Sequence, residues 1–381
     1  MTGKSGAENR LTVAHFMPWS GIGGVEIATL RMVEATREEF RHIAFCMGDA
    51  AVKELFERIR VETVTYSPPV SSVRHAGKYY KDSLVISDQL ESRGADVAHF
   101  AETKAAETSS LAALIAGVQI VCHVRNTYPN LSLRRRLPLL PVDCFVFVSE
   151  EAKRQFGISL PDGKTRVIYD AIELPDAGAV GSKSAVRSEL GIPDDCTVVG
   201  MVARVNPQKD YFTLAFAARM VLRRRPNTRF LVVGDKSLVE PNRRHYEEVA
   251  GALRELGIED NFIFTGHRDD VYRLIEAMDI FVLATHREGF GLCVAEAMAL
   301  QKPVVATAVG GLLEVVEHRV TGLLHQHEDS GGLAEMILSL IDNPDEAKKF
   351  GMAGYEHVRR SYSQEAFSRD LAGIYRDLVA R

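Results

Sequence analysis

Residues 286–300 read HREGFGLCVAEAMAL and follow an apolar, strand-like run, Asp279–Thr285 (DIFVLAT). Two carboxylates, Glu288 and Glu296, are separated by seven residues, and Gly289-Phe290-Gly291 lies between them. After the glycines the pattern turns helical, with Leu292, Ala295 and Ala299 on one face. The spacing predicts Glu288 on a loop and Glu296 about one turn inside a helix. The free backbone amides of Phe290, Gly291 and Leu292 then point forward from the helix N-terminus, where anions and hydroxyl oxygens bind. Carboxylates on either side of such amides suit a ligand that carries a phosphate and several hydroxyls.

Outward from this stretch, apolar runs alternate with helical patterns in both directions. Upstream of residue 174 the strand-like runs are Leu11–Met17, His42–Cys46, Val61–Tyr66, Val97–Phe100, Gln119–Val124, Cys144–Val148 and Val167–Tyr169. Downstream they are Thr197–Ala203, Arg229–Val233, Asn261–Thr265, Ile280–Ala284, Pro303–Thr307 and Gly322–His325. Such alternation gives doubly wound parallel sheets. The chain of 381 residues is too long for one ordinary core, so two α/β domains are expected. The expected division is an N-terminal Rossmann-like domain over 1–174, a linker over 175–184 and a C-terminal Rossmann-like domain over 185–363. The linker lies in a stretch rich in Pro, Gly and small residues, ELPDAGAVGSKS. The amphipathic segment 364–381 is expected to pack back on the first domain. Ligands of such folds bind at the carboxyl ends of the strands, here facing a cleft between the halves.

Composition excludes several classes. Hydrophobic residues make up 46% and charged residues 25%, with a net charge of −5, so there is no global basic footprint for nucleic acid. Five cysteines without a C-x-x-C pair argue for a reducing compartment and against a disulfide framework or a zinc site. The first ten residues have no apolar core, and the longest apolar run, Leu111–Val124, is interrupted by Gln119 and His123. A cytoplasmic protein is expected, with contact at the inner face of the membrane left open. The stretch Leu133–Leu140, with Arg134-Arg135-Arg136, is either a solvated charge run or an interfacial patch. No D-x-D triplet and no His/Cys cluster along the chain points to a metal.

Other loops add chemistry. Arg204 and Lys209 follow the strand that ends near Ala203, and a helix starts near Asp210. Two cations there oppose the helix dipole, and a diphosphate would relieve the conflict, with arginine as a bidentate clamp and lysine as a point charge. Gly21-Ile-Gly23-Gly24-Val-Glu26 follows the first strand and lets a ligand approach the backbone, although a tight structural turn explains it equally. It is not the dinucleotide pattern, and the second strand ends without an acidic residue, Asp49 lying just beyond it. His123 ends an apolar strand, followed by Arg125 and Asn126, which are candidates for contact with an acceptor. Gly310-Gly311-Leu-Leu-Glu314 forms one more carboxyl-end loop, read as a wall of the same pocket.

Taken together, these residues resemble the retaining glycosyltransferases of family 4, which have the GT-B fold. The marks are Glu288 and Glu296 (E-x7-E), Arg204 and Lys209 (R-x4-K), Gly23-Gly24-x-Glu26, His123, Gly311-Leu-Leu-Glu314 and Thr321-Gly322-Leu-Leu324. The resemblance covers nearly the whole chain and is strongest over Gly200–Leu324. It implies that Arg204 and Lys209 bind the diphosphate of a nucleotide-sugar donor, and that Glu296 holds the ribose. Glu288 and the amides of Phe290, Gly291 and Leu292 would hold the sugar. Gly23 and Gly24 would approach the phosphate, and His123 the sugar near its C6 hydroxyl. The loop Gly266-His267-Arg268 would meet the base through backbone groups. The family often has Asn-Gly where this chain has Asp170-Ala171.

The implied reaction is transfer of a hexose with retention, without a metal or a protein nucleophile. Donor frequency in the family favours UDP-glucose or UDP-N-acetylglucosamine. The acceptor would be a glycan, a lipid-linked intermediate or a small molecule, typically in envelope polysaccharide or glycoconjugate synthesis. Loop Tyr66–Asp82 is the expected part of its wall. Two other readings stay open: a two-Rossmann nucleotide-sugar epimerase of the non-hydride kind, and a non-catalytic nucleotide-sugar-binding protein.

Overall fold

The computed structural model describes residues 10–19, 21–48, 51–70, 75–128, 130–175, 181–236 and 240–380. Asp49, residues 71–74 of the expected acceptor loop and residues 176–180 of the expected linker lie outside them. The chain divides into two compact units, one of Met1–Ala171 with Gln364–Arg381, the other of Ile172–Ser363. The second unit thus begins at Ile172, and a helix, Lys183–Glu189, starts within the expected linker.

The first unit is built on a seven-stranded sheet. Its strands are β1 (Thr12–Phe16), β2 (Arg41–Met47), β3 (Glu62–Tyr66), β4 (Val97–Phe100), β5 (Gln119–Val124), β6 (Cys144–Phe147) and β7 (Thr165–Val167). They run in the order β3-β2-β1-β4-β5-β6-β7, every neighbouring pair parallel. Helices cover both faces of such a sheet, so β1, β4 and β6 are buried along their whole length and read as largely apolar runs, interrupted by Thr12, His15 and His99. Helix Gln364–Val379 contributes Phe367, Leu371, Tyr375 and Leu378 to this core. The expected strand Val167–Tyr169 lies two residues earlier, at Thr165–Val167. Pairing of Phe145 with Thr165 and of Phe147 with Val167 sets that register, and an edge strand tolerates the polar Thr165 and Arg166.

The second unit has six parallel strands: β8 (Thr197–Val202), β9 (Thr228–Val233), β10 (Phe262–Gly266), β11 (Ile280–Leu283), β12 (Val304–Thr307) and β13 (Leu323–His325). Their order is β10-β9-β8-β11-β12-β13. The order reverses between β8 and β11, and at such a switch point the connections leave in opposite directions and open a crevice at the carboxyl ends. In the first unit the reversal falls between β1 and β4. Among the described residues no helix is long and apolar enough to cross a membrane.

Candidate functional site

Two loops leave the switch point of the second unit side by side. One follows β8 and carries Arg204 and Lys209; the other follows β11 and carries Glu288. Backbone bonds lock them together: Lys209 bridges to Thr285, the Asp210 amide donates to the Ala284 carbonyl at 3.0 Å, and the His286 amide to Gln208 at 3.0 Å. The buried Thr285 hydroxyl donates to both loops, to the carbonyls of Gln208 and Arg287. As a result the Lys209 ammonium lies 2.5 Å from a Glu288 carboxylate oxygen, with both side chains largely enclosed. The other Glu288 oxygen accepts from the Gly289 amide at 3.2 Å.

The predicted clash of two cations with a helix dipole is therefore resolved within the protein at one of them. Glu288 neutralises Lys209, and Asp210 caps helix Tyr211–Arg224, its Oδ1 accepting from the Thr213 amide at 3.0 Å. Arg204 is exposed and forms no ion pair among the described residues. It is a cation at the switch point with no counter-charge paired to it among the described residues.

Helix Leu292–Ala299 starts at Gly291, whose φ of +100° is the left-handed region that glycine occupies without a Cβ penalty. A Cβ there would also meet the Leu312 side chain at 2.5 Å. The amides of Val294 and Ala295 turn back to the Gly291 carbonyl, whereas those of Gly291 and Leu292 have no partner among the described residues. Glu296 sits one turn in and is buried, and Phe290 is buried edge-on against Tyr362 with ring centroids 5.0 Å apart. The Gly310-Gly311 segment packs directly on the Glu288 and Gly289 carbonyls, and the Gly311 amide donates to Glu288 at 3.0 Å. It supports the loop that carries Glu288, and Leu312–Val315 forms a short helix where the sequence suggested only a loop. Burial pushes the Cys293 thiol up to about 12, which favours the protonated thiol over the reactive thiolate.

Arg268 donates from its guanidinium to Asp270 and to Glu189 at 2.7–2.9 Å, and Arg273 joins the same cluster. The Arg268 bonds hold the Asp270 carboxyl down at about 2. The Arg268 side chain is thus held by Asp270 and Glu189, and the Gly266 carbonyl accepts from the Gly234 amide at 2.9 Å.

In the first unit, Gly23 is the extended N-cap of helix Gly24–Thr36, and its carbonyl accepts from the Ile27 amide. Glu26 is buried in the first turn of that helix. His123 is fully buried, stacked on His99 with centroids 5.5 Å apart, and its Nδ1 lies 3.4 Å from the Arg125 guanidinium. Burial, and then the Arg125 and His99 charges, hold its pKa well below the usual histidine range. His123 is therefore a neutral imidazole. Arg125 is buried as well, ion-paired with Asp170 and donating to the Ala101 carbonyl at 3.2 Å. The fold thus gives Arg125 a structural partner in Asp170, and the pair explains why a carboxylate stands at position 170. Asn126 is half-buried beside it. Sequence reasoning missed this pair because its members lie 45 positions apart and the fold alone joins them.

The chain superposes on Anabaena HepE in complex with UDP and glucose with a TM-score of 0.86, at 21% identity, over 97% of this chain and 100% of that one. A sucrose-phosphate synthase from Thermosynechococcus elongatus gives 0.79 at 21% identity, covering 97% of this chain and 100% of that one. The architecture is GT-B. The model described as "Glycosyltransferase Family 4" matches residues 22–174, and that of "Glycosyl transferases group 1" matches 182–357. The chain belongs to the family 4 glycosyltransferases.

Among curated relatives, D-inositol 3-phosphate glycosyltransferase from Segniliparus rotundus is 33% identical over 198 residues, 51% of this chain and 43% of that protein. D-inositol 3-phosphate glycosyltransferase 2 from Catenulispora acidiphila is 32% identical over 255 residues, 61% of this chain and 57% of that protein. The chain spans about half the length of these relatives.

Proposed function

We propose that this chain transfers a hexosyl group from a nucleoside-diphosphate sugar to a hydroxyl acceptor with retention of anomeric configuration, without a metal ion. The observation that carries the reading is the Lys209–Glu288 pair at 2.5 Å beside the open amides of Gly291 and Leu292 and the uncompensated Arg204. A diphosphate would engage Arg204 and share Lys209 with Glu288. A sugar would lie between Glu288 and the helix amides, and the ribose hydroxyls would meet Glu296.

The chemical difficulty is the negative charge that develops on the departing diphosphate as an oxocarbenium-like centre forms. Fixed cations and helix amides stabilise that charge without reorganising. The acceptor hydroxyl attacks the face from which the phosphate leaves, and a phosphate oxygen takes its proton. No side chain is assigned as a nucleophile. For the first unit taken by itself, the Gly23 and Gly24 amides and the buried, neutral His123 are the groups proposed to offer hydrogen bonds to a ligand.

UDP-glucose or UDP-N-acetylglucosamine is the proposed donor; the bound UDP and glucose of the HepE structure support the base and the first sugar. A glycan or lipid-linked acceptor is the proposed partner. The exposed Leu133, Leu137 and Leu140 with Arg134 and Arg136 form the surface proposed to meet an anionic membrane. The epimerase reading predicts UDP release or an epimer without any acceptor, and the binding-protein reading predicts no turnover. A thermal-shift panel of UDP-, GDP- and ADP-sugars, with EDTA present or absent, tests the proposal. Stabilisation by one base, insensitive to chelator, is expected. A strict requirement for Mg²⁺ or Mn²⁺ would overturn the metal-independent assignment.

A further inference from the structure

The carboxyl ends of β11 and β13 hold a second group of side chains outside the donor site. His286 follows β11 at the start of the loop that carries Glu288, and His327 and Glu328 follow β13, two strands over in the sheet with β12 between. Along the chain the two histidines are 41 positions apart and form no motif. In the fold, His286 Nδ1 lies 2.8 Å from His327 Nε2, and a Glu328 carboxylate oxygen lies 3.6 Å from the first and 4.0 Å from the second. All three side chains open to solvent.

We propose that His286, His327 and Glu328 form a binding site for a first-row transition ion of the Zn²⁺ class. Three donors around tetrahedral zinc, with bonds of about 2.0–2.1 Å, stand about 3.4 Å apart. The observed separations of 2.8, 3.6 and 4.0 Å bracket that value. Two imidazoles and one carboxylate match the preference of such ions for nitrogen with a single oxygen, and a fourth position stays open for water. Without an ion, a proton shared between the two imidazoles fills the same place. An ion replaces that proton and moves the nitrogens apart by about half an ångström, a small adjustment for exposed side chains.

The supporting backbone is fixed on both sides. The His286 amide donates to Gln208 at 3.0 Å, which ties this residue to the loop that carries Lys209. The turn that presents His327 and Glu328 is closed by the Asp329 amide on the Gln326 carbonyl at 3.2 Å. Asp329 itself caps helix Ser330–Asp342 through the Gly332 amide at 2.8 Å. An ion would therefore brace the Glu288 loop against the end of β13. The site stands on these three side chains and not on the proposed transfer, which uses no metal.

The test uses the full-length chain, free of any histidine tag and stripped with EDTA. Zn²⁺ is titrated against a chromophoric chelator, and Co²⁺ uptake is followed by its visible absorption. Stoichiometric uptake of one ion, a tetrahedral Co²⁺ spectrum and a Zn²⁺-dependent rise in melting temperature are expected. His327→Ala and Glu328→Gln, both at the surface, should each weaken Zn²⁺ binding by about tenfold or more and remove that rise, with an unchanged circular dichroism spectrum. Uptake of no stoichiometric ion by the unmodified chain, or wild-type affinity in His327→Ala, overturns the proposal and leaves a histidine–histidine hydrogen bond.

Discussion

Neutralising Glu288 should have opposite effects on UDP binding and on sugar turnover. In the resting protein the Lys209 ammonium is held 2.5 Å from the Glu288 carboxylate, with 14% and 17% of the two side chains exposed. At an effective dielectric of about 20 a pair this close attracts by several kcal/mol, and partial solvent access with the remaining hydrogen bonds reduces the net difference to about 1–2 kcal/mol. Glu288→Gln frees the lysine for the diphosphate, so UDP should bind about five- to thirtyfold more tightly, and more so at low salt. Turnover of the sugar donor should fall, because the carboxylate proposed to hold the sugar is gone. Isothermal titration with UDP and a donor-consumption assay read the two effects. The Lys209→Ala/Glu288→Gln variant closes a double-mutant cycle. If the tightening persists without Lys209, it reflects loss of a nearby negative charge and the reasoning about a released lysine fails. UDP binding that weakens in Glu288→Gln would refute it outright.

Other outcomes follow from the same contacts. Asp170→Asn leaves the buried Arg125 without its counter-charge, and should cost about 3 kcal/mol in urea unfolding. Gly310→Ala places a Cβ at φ +54° against the Glu288 carbonyl, and should cost about 2–4 kcal/mol while weakening UDP binding, measured by denaturation and titration. The first unit should be acid-sensitive through its row of buried imidazoles, His42, His15, His99 and His123, whose adjacent centroids lie 5.1–5.5 Å apart. Burial lowers His42 to about 4 and His99 to about 3. Their folded pKa values lie below the unfolded value near 6.5, so the unfolded chain takes up protons first. The stability is full above about pH 6.5 and is lost as pH falls toward 4, by about 2 kcal/mol per imidazole on reaching pH 5. Urea midpoints at pH 7.5 and 5 that coincide would show these histidines to be protonated at no cost.

Much of the architecture is legible in the chain because parallel strands buried on both faces must be largely apolar, the buried histidines of β1, β2, β4 and β5 being the exception. Glycines punctuate their carboxyl ends, where Gly291 needs a left-handed φ and Gly310-Gly311 must lie against a neighbouring backbone. Those constraints are local, and they mark the loop that carries Glu288 and the start of the helix that carries Glu296. What the chain conceals is pairing between distant residues. Nothing near Arg125 announces Asp170, and nothing near His286 announces His327. Neither does the sequence show that Lys209 rests on Glu288, since each residue alone reads as a ligand contact. Edge elements are also obscure, because Thr165–Val167 is positioned by its pairing with β6 and not by its own apolar pattern.

The central claim is that Lys209 stabilises the departing diphosphate. Single-turnover consumption of the preferred nucleotide sugar, at saturating donor, compares wild type with Lys209→Ala most directly. Loss of a charge that acts on the leaving group should lower the rate by about 10²–10³. A rate within a few fold of wild type would contradict the account.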